Sequence, residues 1–281
     1  MRVVASAENA LMKNVSSLAA LVVLILFGTV GLPAAPSIGA VGVTPQAIEV
    51  GTAISVVVTA QIADPSLIST SVNLLRVDGS GRTLANLGLM NDTGIDGDAV
   101  AGDRVFSKTA PLREESIGMV RFRVSAAFRG VLQRALSPIV AVHVWQRSTD
   151  TQQSISALTP PNWEFTSLDE QIEMSSPVAQ EAAQAGATMA APEVVLKNAQ
   201  TTLNLTDFIA AYRDGWYSEY ACAPIVATLE TVRCTSEFMT IERQPTLAGF
   251  VRASDTRLIL AFGTDVSTQD FDNILRSIRP F

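Results

Sequence analysis

Histidine and cysteine are almost missing from this chain of 281 residues. His143 is the one histidine, and Cys222 and Cys234 are the two cysteines. A His-rich or Cys-rich zinc site cannot be assembled from so few ligands. A Ser-His-Asp triad would have to use His143, and no Gly-x-Ser-x-Gly elbow or phosphate-binding loop stands in the sequence. Lysine is scarce too, 3 against 17 arginines, and the formal net charge is −7 with a pI near 4.8. A nucleic-acid partner needs a basic face, which this acidic balance does not supply, so none is expected. What is plentiful is apolar: 48% of the residues, enough for a sizeable core in a chain long enough for two ordinary domains.

The N-terminus reads as an export signal. Residues 18–30, LAALVVLILFGTV, form an apolar run preceded by Lys13 and broken by Pro33 and Pro36. Residues 1–40 are therefore expected to be a signal peptide cleaved near Ala35 or Ala40. The competing reading is a retained anchor, the only reading that gives the protein a membrane partner; the run is at the short edge for a span. Export places the chain in the periplasm, at the cell surface or outside the cell. There the two cysteines, twelve positions apart, are expected to pair as one disulfide.

From residue 41 to 145 the pattern is strands and turns. Residues 53–62, AISVVVTAQI, alternate with Ile54, Val56, Val58, Ala60 and Ile62 on one face. Val120, Phe122, Val124 and Ala126 repeat the pattern in MVRFRVSAAF, and Val140, Val142 and Val144 in SPIVAVHVW. Period-two alternation with frequent turns predicts a β-sandwich. His143 falls on the face opposite the valines, beside Trp145, as a packed or edge histidine. Residues 146–161, polar and closed by Pro160 and Pro161, read as a linker.

Residues 162–281 predict a small α+β domain, an antiparallel sheet with helices covering one face. Helices are expected over 176–186 (Ser176 as N-cap, Gly186 as stop), over 204–215, and over the C-terminal stretch capped by Ser267. Strands are expected at 223–234, 237–244, 246–253 and 256–264. Trp163, Phe165, Trp216, Tyr217 and Tyr220 are candidates for a binding surface or for packing.

The most unusual stretch is MNDTGIDGDAVAGDRVF, residues 90–106. It sets Asp92, Asp96, Asp98 and Asp103 among Gly94, Gly97 and Gly102. Calcium takes six to eight hard oxygen ligands, and a loop supplies them by curling round the ion with glycines at the tight bends. The same residues also make a solvated turn closed by its own Asx hydrogen bonds. Asp92-Thr93-Gly94 has the letters of an aspartic-protease motif, but no second copy exists and the crowded negative charge opposes a dry carboxylate dyad.

The stretch resembles a motif of bacterial exported Ig-like domains, approximately D-x-G-x-x-G-D-x-x-A-G-D-G-x-[YF], with Arg104 where that motif has glycine. Flanking segments such as VGTAISVVVTAQIADP and SVNLLRVDGSG are similar as well. The resemblance covers about residues 43–145, and nothing in 162–281 is recognised. It implies an extracellular Ig-like sandwich of adhesive or architectural use.

The expected protein is thus exported and non-enzymatic, mainly β plus α+β, with a structural calcium loop and a protein or glycan partner. The alternatives are a hydrolase using carboxylates such as Asp169, Glu170 or Glu173, and an anchored subunit of an envelope assembly.

Overall fold

In the computed structural model the described residues are 36–184, 192–215, 220–236 and 247–281. The chain is mainly β, in three sheets whose pairings are antiparallel with one exception. The first sheet has the order β1-β3-β6, from β1 (Val41–Thr44), β3 (Ile54–Gln61) and β6 (Val105–Leu112). The second sheet is built on β4 (Asn73–Val77), β5 (Thr83–Leu89), β7 (Gly118–Ala126) and β9 (Val140–Asp150). It continues through β10 (Ile155–Thr159) to the short C-terminal β18 (Arg279–Pro280). At its side β8 (Ala135–Leu136) pairs with β7, and β2 (Ala47–Glu49) lies parallel to β9.

The alternation read from the sequence decides which side chains meet. Val56, Val58, Ala60 and Ile62 from the first sheet pack with Val120, Phe122, Val124, Ala126, Val142 and Val144 from the second. Along β3 and β7 the side chains on one face are buried and those on the other are mostly turned outward, an arrangement compatible with a β-sandwich. Fully burying residues of this size contributes about 1.5–3 kcal/mol apiece, which is what fixes the register.

Residues 146–161 are not a linker. Gln146 to Asp150 complete β9, and every residue of β10 is buried. The polar composition conceals this, because several of its polar groups are paired within the fold. Thr159 Oγ1 donates to Ser148 Oγ (2.9 Å), Leu158 N–H donates to Ser277 Oγ (2.8 Å), and Arg147 donates to Glu49 (2.8 Å) and to the Ser277 carbonyl (2.9 Å). A buried hydroxyl with a partner costs little, so serine and threonine here are compatible with a core strand.

The third sheet has seven strands in the order β11-β12-β13-β17-β16-β15-β14. These are β11 (Glu164–Leu168), β12 (Gln171–Ser175), β13 (Glu193–Gln200), β14 (Tyr220–Pro224), β15 (Thr231–Ser236), β16 (Leu247–Ser254) and β17 (Arg257–Thr264). The stretch 223–234, expected as one strand, is a hairpin: it leaves β14 at Pro224 and re-enters at Thr231. The expected strand at 237–244 lies outside the described residues, as do Gly186, Trp216, Tyr217 and residues 1–35 of the expected signal peptide. Residues 36–40 of that expected segment belong to the fold instead, with Ile38 buried in the first core and Gly39 N–H donating to the Gln61 carbonyl (2.8 Å).

Helices α1 (Pro177–Gln184), α2 (Leu205–Gly215) and α3 (Thr268–Ser277) form where their caps predict. Ala179 N–H donates to Ser176 Oγ, Asp207 N–H to Asn204 Oδ1 and Asp270 N–H to Ser267 Oγ, each satisfying an amide that the first turn leaves open. The helices cover both faces of the sheet, not one. Strands β16 and β17 are apolar at consecutive positions. Leu247, Val251, Ile259 and Ala261 meet Phe271, Ile274 and Leu275 of α3, while Ala248, Phe250, Leu258 and Leu260 meet Leu205 and Ile209 of α2. The α3 core also takes in Trp145, Ile155 and Ala157, so the second sheet closes it from the other side. Ser37–Phe281 is one compact unit. Among the described residues no helix is long and apolar enough to cross a membrane.

Candidate functional site

The acidic stretch joins β5 to β6, the outer strands of two facing sheets. Its bends need left-handed backbone: φ is +77° at Gly94, +91° at Gly97 and +79° at Gly102. Gly97 is required twice over, because a Cβ there would stand 2.6 Å from Val57 Cγ1. The loop is therefore seated on the outer face of the first sheet, over Val57 and Thr109. Arg104, where the similar motif has glycine, still takes the left-handed conformation, with φ +66°. Its guanidinium donates to the Ala63 carbonyl and so ties the distorted turn to the neighbouring chain.

The four aspartates divide into two roles. Asp92, Asp98 and Asp103 converge, with one carboxylate oxygen from each within 4.8 Å of the others. Asp96 turns away to Lys108 Nζ (3.3 Å) and accepts from Thr109 N–H (3.2 Å). Burial works against ionisation of Asp96, but the Lys108 bond and the Thr109 amide outweigh it and hold its pKa below the usual carboxylate value. Asp98, the buried member of the group, accepts from the amides of Gly94 (2.6 Å) and Val100 (3.4 Å). Asp92 accepts from those of Gly102 (2.8 Å) and Arg104 (3.1 Å), and Asp103 from that of Val105 (2.8 Å).

Asx bonds therefore close the loop, one of the two expected readings. They do not exhaust the carboxylates, since each oxygen has two lone pairs. Among the described residues no Lys or Arg forms an ion pair with Asp92, Asp98 or Asp103; Lys108 is engaged on Asp96 and the Arg104 guanidinium on a carbonyl. Three close carboxylates without a cation repel one another. Hard oxygen donors in this arrangement fit a divalent cation, with backbone carbonyls and water completing the shell.

The hydrolase carboxylates are not brought together. Asp169 and Glu170 form the exposed tip of the β11–β12 hairpin, while Glu173 lies within β12 opposite Val195. Its electrostatic neighbour is Glu193, a residue the sequence reading did not single out. Burial first, and the charge of Glu173 second, push the Glu193 pKa up. Twenty residues separate the two, and only the pairing of β12 with β13 makes them neighbours, so no local motif signals them.

Cys222 and Cys234 form the expected disulfide, linking directly opposed positions of β14 and β15. His143 is half-buried in β9, its ring 5.8 Å from that of Trp145 and tilted 54° to it. Trp163 and Phe165 pack against the α3 core. No protein-family model matches this chain, and no curated relative matches it.

Proposed function

We propose that this protein is an exported, non-enzymatic binding or structural protein, with an Ig-like sandwich in its first half and a loop that takes calcium as a structural ion. The observation that carries the reading is the convergence of Asp92, Asp98 and Asp103 without a cationic partner, on a glycine-bent loop between facing sheets. Calcium there would cancel the mutual repulsion and hold one end of the sandwich; it would supply no chemistry to a substrate. The disulfide and the apolar leader support an oxidising, calcium-rich location at the cell envelope or beyond it. A protein or glycan is the partner class that such a location offers.

Thermal or denaturant unfolding with millimolar calcium against chelator tests the loop. At free calcium a hundredfold above Kd the folded state gains about 2.7 kcal/mol. Asp98→Asn is expected to abolish the gain, and Asp96→Asn to leave it in place. Unfolding curves that coincide with and without calcium overturn this part of the reading. Cell fractionation with sequencing of the mature N-terminus tests export. The hydrolase alternative has one observation in its favour, the raised Glu193 beside Glu173; a hydrolase substrate screen on the full chain, with Glu193→Gln as control, decides it.

A further inference from the structure

An edge strand exposes every second amide to solvent and invites another strand to pair with it. Among the described residues six strands lie at the ends of the three sheets, and β6, at 8 residues, is the longest of them. The others carry their own protection. Strand β1 has 4 residues and β18 has 2; the ladder of β5 is irregular at two places; β14 ends in Pro224. Strand β11, with 5 residues, is the nearest to an open edge.

In β6 the inward positions Phe106, Lys108, Ala110 and Leu112 bond to β3, which leaves Val105, Ser107, Thr109 and Pro111 facing outward. Each outward amide has an acceptor in the acidic loop. Val105 N–H donates to Asp103 Oδ1 (2.8 Å), Ser107 N–H to the Asn91 carbonyl (2.8 Å) and Thr109 N–H to Asp96 Oδ1 (3.2 Å). The Ser107 carbonyl accepts from Asn91 N–H in return (3.0 Å). The fourth outward position is proline, which has no amide to offer. Asp103, Asn91 and Asp96 thus place acceptors at every second residue of the strand edge, opposite positions 105, 107 and 109.

We infer that loop 91–104 is an edge guard, which keeps β6 from pairing with β6 of a second copy of this chain. The guard uses Asp96 and Asp103 as amide acceptors, so it stands whether or not the loop takes calcium. It also explains Asp96, which the convergent carboxylates leave unused. An antiparallel β6–β6 contact would join two first sheets into a continuous one, with the outward amides and carbonyls of each strand as the pairing groups.

The test is the variant Asp96→Ala with Asp103→Ala, in the full chain. Hydrogen exchange at the Val105 and Thr109 amides is expected to quicken about fivefold, the equivalent of one ordinary hydrogen bond each. Sedimentation is expected to show a dimer that grows with protein concentration, while the parent chain does not associate through this edge. Adding Thr109→Pro removes an outward amide that β3 does not use, and is expected to restore the parent's behaviour. If the double variant does not fold, Asp96→Ala alone is measured in the same way. A folded variant with unchanged exchange, or one that sediments as the parent does at every concentration, overturns the inference. Chelator added to the parent separates the two proposals. Loss of the calcium gain with Asp96 and Asp103 intact, and no association, leaves the guard standing.

Discussion

At Gly97 two separate costs meet. A Cβ would be strained by the left-handed φ and would overlap the Val57 side chain. Gly97→Ala is therefore expected to destabilise the protein by about 2–4 kcal/mol, summing the conformational and overpacking costs. Equilibrium denaturation reads this directly, and Val57→Ala in the same chain should recover the overpacking part. The residue-level content of the loop was partly legible in the sequence. Clustered aspartates and glycines announce tight turns with inward carboxylates, and three of the four do converge. Asp96 was not separable, because its partners Lys108 and Thr109 belong to a strand twelve residues on, and only the fold says which side of the loop faces that strand.

Among the elements, the strands of the first half were readable because one face of each is buried and the other is not. The faces of 53–62 and 118–126 are those the alternation requires. Strands β10, β16 and β17 break that rule by being buried on both sides, and a doubly buried strand loses its period-two signature. Thus β10 has the sequence character of a linker, and the α2-facing and α3-facing positions of β16 and β17 merge into continuous apolar runs. The glycine in β16 has a reason visible only in the packing. A Cβ on Gly249 would stand 2.4 Å from Leu275 Cδ2, so α3 lies directly on the backbone of the sheet. Gly249→Ala is expected to cost about 1–3 kcal/mol by forcing α3 outward. Leu275→Ala should cost about 2–5 kcal/mol alone. The double variant should be less destabilised than the two costs added together, since each change relieves the other; a thermal-melt double-mutant cycle measures the coupling. Full additivity would mean that α3 does not rest on Gly249.

On the scale of the whole molecule, stability against pH reports which ionised groups the fold favours. Asp78 is held down to about 2, by the Ser80 hydroxyl first and the Arg82 amide second. Asp64 is lowered, chiefly by the Ser66 hydroxyl. Asp96 and Asp150 are lowered as well, where burial opposes the charge but hydrogen bonds prevail. A carboxyl depressed on folding stabilises the native state above its unfolded pKa of about 4, and that contribution disappears as pH falls through the folded value. The four together predict a loss of stability between about pH 4 and pH 2. Glu193 has the opposite sign. Its raised folded pKa means that the unfolded chain gives up the proton more readily, so its favourable contribution is complete below about pH 4 and is lost as pH rises through the folded value. Glu193→Gln should therefore unfold at higher temperature than the parent at pH 7, by less than about 1 kcal/mol because solvent screens the pair. The advantage should vanish by about pH 4, where the parent's Glu193 is protonated in both states. Thermal melts of parent and variant across pH 3–8 carry this test. A gain that persists unchanged at pH 4 would assign the effect to packing, and the Glu173–Glu193 repulsion would have no part in it.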